Sequence, residues 1–276
     1  KIMNPLLIID GVLGKENAAG SGVLRQNILL MVIYYIFLLI ISFPVAKLLR
    51  EKNKSEFLYR LMMIFSNVGF MGIPVITSLY GDGCVLYIAF YILGYNLLLY
   101  TYGLYLVDSS VRCDEENAGK KDDKTGFSSL KKIMNSGVIA CIIAIIIFAF
   151  SIPVPGPVVQ FVNSLGNCAV PLSMVLIGAS MAQQSIKNLV SDKKVYLFLF
   201  VRMIVIPIIA AFVMRSFSFD RQVAGVFGMM LAMPVGSIVV LLAQERGADE
   251  TVCTRASVVS TVASVFTIPI VAAFLP

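Results

Sequence analysis

The sequence predicts an all-α polytopic membrane protein, and three observations carry that prediction. The chain is more apolar than one soluble core could bury: 58% of its residues are hydrophobic and 14% charged, against roughly 25% charged in soluble domains. The apolar residues fall in uncharged runs at 26–46, 61–81, 83–107, 222–244 and 256–276, each 21 to 25 residues long. A helix needs about 20 residues to cross a hydrocarbon core of about 30 Å. The basic residues sit on alternate links between the runs, as a membrane topology requires. Barrel strands would instead alternate in polarity over about 10 residues.

The elements follow in order. Residues 1–13 hold an apolar stretch, Pro5 to Ile9, too short to span, and the chain opens on Lys1 rather than Met. The expectation is the outer half of a cut helix with an upstream segment missing. The runs 26–46, 61–81 and 83–107 make one crossing each. Segment 108–132 gathers Asp114, Glu115, Glu116, Lys120, Lys121, Asp122, Asp123 and Lys124 without apolar periodicity, and reads as a polar loop. The uncharged stretch 133–186 is long enough for two crossings turned at Pro153, Pro155 and Pro157. Residues 195–214 make a further span interrupted only by Arg202, and 222–244 and 256–276 complete eight full crossings.

The formal charge of +6 is a topology signal rather than a nucleic-acid footprint. Links 47–60, 108–132, 187–194 and 245–255 hold five, six, three and two of the 22 Lys and Arg residues, and the opposite links 15–25, 81–83, 152–157 and 215–221 hold two, none, none and two. The positive-inside rule therefore places loop 108–132 in the cytoplasm and the C-terminus outside a cell membrane. Of five cysteines without CxxC spacing (84, 113, 141, 168, 253), four lie in or beside apolar spans and read as small buried hydrophobes, while Cys113 falls in the polar loop. No cofactor and no metal site are expected.

The polar loop divides the chain into 1–107, a first set of helices truncated at its N-terminus, and 133–276, a second set. Landmarks recur across it. Asn4-Pro5-Leu6 and Gly72-Ile73-Pro74 before the loop match Val170-Pro171-Leu172 and Pro234-Val235-Gly236 after it, and Tyr80-Gly81-Asp82 echoes Arg246-Gly247-Ala248-Asp249. By the charge rule 61–81 runs outward and 222–244 inward, so the equivalent helices are inverted, an arrangement common in secondary transporters.

The candidate site is the stretch Ser66-Asn67-Val68-Gly69-Phe70-Met71-Gly72-Ile73-Pro74 in the middle of a span. Pro74 removes a backbone donor and crowds the carbonyl of Phe70, and Gly69 and Gly72 weaken the helix further. Unwound backbone at this depth must line a cavity or pack against protein. Its counterpart is Leu231-Ala232-Met233-Pro234-Val235-Gly236-Ser237. Two such breaks crossing at mid-membrane would aim half-helix N-termini, with their partial positive charge, at an anion, with Asn67 and Ser237 adding side-chain hydrogen bonds. The bland alternative is a pair of kinked helices packed closely through small residues.

These motifs, with Tyr95-Asn96-Leu97-Leu98-Leu99-Tyr100-Thr101-Tyr102-Gly103, Val170-Pro171-Leu172-Ser173-Met174, Ile177-Gly178-Ala179 and the closing Ser260-Thr261 and Pro269, resemble the auxin efflux carrier family of bacteria and plants. The resemblance implies ten helices as inverted five-helix repeats with two broken crossover helices, the first helix and part of the second being absent here. It implies the crossover fold of bile-acid symporters and NhaA-like antiporters. The second, sixth and seventh helices would form a scaffold and the rest a transport part. It implies organic-anion substrates and homodimers, a crossover role for Asn67, Gly69, Pro74 and Pro234, and a supporting role for Asn96. Tyr100 stands where an aromatic, usually Trp, is expected, and the cytoplasmic loop is short; both favour a bacterial member.

Arg202 is the one charge well inside a span, eight residues beyond Lys194 or roughly 12 Å of helix rise. Two readings fit it: snorkelling to the cytoplasmic headgroups, or a cation that attracts the anion. The chain has no His, which excludes an HExxH zinc protease and a Ser–His pair, and Walker motifs are missing. The function expected is therefore not enzymatic. It is a secondary carrier of small organic anions by alternating access, with a sodium- or proton-coupled carrier as the runner-up and a channel or receptor behind it.

Overall fold

At membrane depth every backbone group must find a partner within the protein, so the apolar runs are expected to be helical, and within the described residues they are, apart from breaks in two of them. The computed structural model describes residues 21–49, 54–117 and 192–275, together with 139, 143, 146, 147, 152, 154–165, 168 and 175. Helix α1 (Ser21–Leu48) leads into α2 (Lys54–Ile64) and, after an unwound stretch, α3 (Gly72–Tyr80). Helix α4 (Val85–Leu98) then passes through a π turn (Leu99–Gly103) into α5 (Leu104–Asn117). The second group has the same plan. Helix α6 (Lys193–Phe200) continues through a π turn (Val201–Val205) into α7 (Ile206–Arg215). A broken pair follows, α8 (Arg221–Ala232) and α9 (Ser237–Arg246), and then α10 (Thr251–Phe274). Among the described residues, four continuous helical stretches are long and apolar enough to cross a membrane: Gly22–Leu48, Val85–Cys113, Lys193–Arg215 and Thr251–Phe274.

Each described group is thus an unbroken span, a broken one and an unbroken one. These are the helices that the resemblance assigns to a transport part. The cut helix at 1–13 and the segment 118–132 lie outside the described residues, as does most of 133–186. One boundary moves. The polar loop expected from residue 108 begins as helix, because α5 runs on to Asn117. Ser109 and Ser110 on that helix are buried where it packs against α2 and α9, and Asp108 pairs with Arg246.

The broken helices lie at the centre. Helix α8 packs against α1, α7 and α10, while α2 lies against α1, α5 and α10. The largest fully buried side chains include Tyr34, Met62, Met63 and Phe65 near the first break. The outward faces are apolar: Ile28, Leu29, Val32, Ile36 and Ile40 on α1, and Val262, Val265, Phe266 and Ile270 on α10, are exposed. Contiguous apolar stripes of this size are tolerated against lipid tails but not against water.

Candidate functional site

The half-helices hold 11, 9, 12 and 10 residues, or about 14 to 18 Å each at about 1.5 Å per residue. Both breaks therefore fall near the middle of a core about 30 Å thick. There the two chains meet in an antiparallel bridge between Ser66 and Val235. The Asn67 N–H donates to the Pro234 carbonyl at 2.8 Å, and the Gly236 N–H to the Phe65 carbonyl at 2.9 Å. Four backbone groups that the breaks set free thus satisfy one another.

Local sequence explains the geometry. Pro234 lacks the N–H that would extend the ladder of α8, and it forces Met233 before it out of the helical region, to φ −62 and ψ 142. Pro74 stands in the first turn of α3, where a missing N–H costs nothing, and it forbids continuous helix through Phe70. The two prolines are therefore not equivalent in the crossing: Phe65, not Pro74, is the pairing partner opposite Gly236. Gly236 is required by close approach. A Cβ there would lie 3.0 Å from the Ser66 carbonyl and the Tyr95 hydroxyl and 3.1 Å from the Phe65 carbonyl.

Side chains fasten the bridge from behind. The Ser260 hydroxyl accepts from the Val235 N–H at 3.1 Å and donates to the Ser257 carbonyl at 3.0 Å. The Tyr34 hydroxyl donates to the Met230 carbonyl and lies 3.3 Å from the Ser66 hydroxyl. Arg202 donates from Nη1 to the Met233 carbonyl at 2.8 Å and from Nη2 to the Ser66 hydroxyl at 2.7 Å. It is 2% exposed, so it does not snorkel.

In front of the bridge lies a cavity of about 480 Å³, open mouth included, lined by Ser66 to Phe70, by Ile92, Tyr95 and Asn96 of α4, and by Gly236, Ser237 and Ile238. The Asn96 amide nitrogen donates to the Ile92 carbonyl at 2.8 Å. The Ser237 hydroxyl is buried without a hydrogen-bond partner. The two half-helix N-termini differ. In α3 the first donors are already used: Gly72 N–H to Asn67, Ile73 N–H to Gly69 and Val75 N–H to Met71 carbonyls. In α9 no side chain caps the start, and among the described residues the Ser237 and Ile238 N–H groups have no partner. The expectation of two free N-termini is thus corrected to one, because the first break is long enough to curl back on its own helix.

Of the residues singled out from sequence, Asn67, Gly69, Asn96, Gly236 and Ser237 line the cavity. Gly72 packs beside Met230, Pro74 starts α3, Pro234 is in the bridge, and Arg202 lies outside the lining. Sequence reasoning gave no site-forming role to Tyr34, Tyr95 or Ser260, and named Ser66 only as the start of the candidate stretch. Ser66, Tyr95 and Ser260 sit within or beside the quoted motifs; Tyr34 carries no local signal. Residues 1–272 match a family model described as "Membrane transport protein". No curated protein gives a significant match to the chain.

Proposed function

The chain belongs to the membrane transport protein family, the auxin efflux carrier family its motifs resemble, and from that premise we propose that it is a secondary carrier of small organic anions, carboxylates in particular, working by alternating access. One observation carries the reading: the open N-terminus of α9 at mid-membrane, where Ser237 and Ile238 line the cavity, their N–H groups have no partner among the described residues, and the buried Ser237 hydroxyl has none either. A helix N-terminus carries roughly half a positive charge. A carboxylate would accept from both N–H groups and from the hydroxyl, and the Asn67 and Asn96 amides would complete its shell. The organic body would rest on Val68, Ile92 and Ile238. Gly69 lines the wall of the first break, and Gly72, Pro74 and Pro234 shape the crossing.

Among the described residues the cavity lining contains no Asp, Glu or His, the groups that usually couple a carrier to protons or sodium. This favours uncoupled movement down the anion's own gradient. In a cell negative inside, each negative charge leaving gains about 2.3 kcal/mol per 100 mV, close to a fiftyfold concentration ratio, so the direction is export or exchange. The distribution of Lys and Arg supports a cell-membrane protein with segment 108–132 cytoplasmic and the C-terminus outside. Cys113 should then react with impermeant thiol reagents from the cytoplasmic face alone. The family supports a homodimer.

The test is flux in proteoliposomes holding the complete protein, over a panel of mono- and dicarboxylates, at clamped potential with symmetric pH and no sodium. Efflux of at least one carboxylate should quicken as the inside is made negative. If none moves, the anion reading fails; if flux appears only with an imposed ion gradient, the carrier is coupled.

A further inference from the structure

We infer that Arg202 is the positioning residue of the crossover, a buried cation that caps the C-terminus of α8 and ties it to the first break, and not a group that touches the transported anion. The last carbonyls of a helix have no partners within it and carry roughly half a negative charge. At membrane depth water cannot satisfy them. The carbonyl of Met230 in the last turn of α8 is met by the Tyr34 hydroxyl, and that of Met233, just past the helix end, by Arg202 Nη1. The second arm of Arg202 reaches the Ser66 hydroxyl. Since Tyr34 donates to Met230, the Ser66 hydroxyl is left to donate to Tyr34. The bonds therefore run in one direction, from the guanidinium through Ser66 and Tyr34 back to the end of α8.

Three further features place Arg202 in this role. It lies in a π turn, a local widening frequent at functional positions, and is almost fully buried there. Among the described residues no carboxylate pairs with it, and the negative end of α8 supplies a counter-charge. And its position matches that of Tyr34 in the other group: Tyr34 stands 32 residues before Ser66 and Arg202 stands 33 before Val235. Corresponding unbroken spans thus send one polar anchor each to the same bridge. At the second break the cation takes the negative end of α8, and the positive end of α9 stays open to the cavity.

The transport part of this inference rests on the carrier reading; the bridge itself can be tested without it. In Arg202→Gln, amide hydrogen exchange at the Asn67 and Gly236 N–H groups should rise about tenfold or more, with α1 and α4 unchanged, and Arg202→Lys should recover part of the protection. With benzoate and malonate as probes, Arg202→Gln should lower kcat about tenfold and leave KM within about threefold for both, with partial rescue by Lys. Unchanged exchange at those two amides would overturn the inference. So would a tenfold rise in the malonate KM at constant kcat, which marks a substrate-binding cation. If the wild type moves neither probe, the anion reading suffers while the exchange data still decide. Should Arg202→Gln fail to fold, Ser66→Ala removes one arm only: it should raise exchange at Asn67, and unaltered protection there would sink the proposal.

Discussion

The two broken helices meet in one bridge but are unwound over different lengths. Seven residues, 65–71, separate α2 from α3, whereas four, 233–236, separate α8 from α9. The halves beyond the breaks end alike, each at a glycine with positive φ, Gly81 at 84° and Gly247 at 74°. The difference lies at their starts. Seven residues suffice for Asn67 and Gly69 to turn their carbonyls onto the first donors of α3. Four residues, two of them held in the bridge, cannot do this for α9. The length of unwound chain therefore decides which helix N-terminus is spent on the protein and which is left for a ligand. A paired motif yields unpaired chemistry.

The harshest way to break this contrast is to let both helices close. Pro74→Ala supplies an N–H able to take the Phe70 carbonyl, and Pro234→Ala lets α8 grow into the short break. Growth from either side pulls the bridge apart. The double variant should lose transport to below detection in proteoliposomes while still inserting and folding; near-normal uptake would show that the crossing is incidental. Next in size is a pair of glycine changes. Gly236→Ala presses a methyl against two bridge carbonyls, at 3.0 and 3.1 Å, and should lower transport about tenfold or more, within the range of a strained close approach. Gly69→Ala meets nothing within 4 Å and should stay within about twofold. Equal effects would mean that the two breaks are equally tight, against the geometry.

Much of this was legible in the sequence. The helices, the interruption around Asn67 and Gly69, and the second break at Pro234 follow from apolar run length and from what Pro and Gly do to a hydrogen-bond ladder. The pairing register was not legible, since Pro74 looks like the counterpart of Pro234 until the bridge sets Phe65 and Asn67 there instead. A two-residue bridge has no periodicity to read. Arg202 was visible as a charge within a span, but its partners, Ser66 and the carbonyl of Met233, are 136 and 31 residues away, and one of them is backbone. Tyr34 was hidden because an aromatic in an apolar run looks like core. The helical continuation to Asn117 was missed because its buried face is made by Ser109 and Ser110, which read as loop.

A finer probe of the open N-terminus is Ser237→Ala. The hydroxyl is buried with no hydrogen-bond partner among the described residues, so its removal relieves a buried polar group instead of breaking a bond. Thermal stability without substrate should hold or rise slightly. Affinity for a transported carboxylate should fall about tenfold, the lower end of what a hydrogen bond to a charged group contributes. Stability and binding moving down together would mean that the hydroxyl has a structural partner and that α9 is not open in the sense argued above.

The smallest effect is expected at the other end of α9. Arg246 in its last turn donates to both carboxylate oxygens of Asp108 on α5, at 3.1 and 3.3 Å. Both side chains are near 30% exposed, and ion pairs so open to solvent contribute about 1 kcal/mol or less, weaker still in salt. A cation there also suits the negative end of the helix. If the start of α9 is fixed by the bridge, by Gly236 and by Ser260 behind Val235, its far end needs little help. Arg246→Gln should then keep at least about half of wild-type transport, and raising the salt concentration should narrow the gap further. A loss as large as that of Gly236→Ala would place the anchor of α9 at the ion pair, so that the length of the unwound segment no longer decides how its N-terminus is presented.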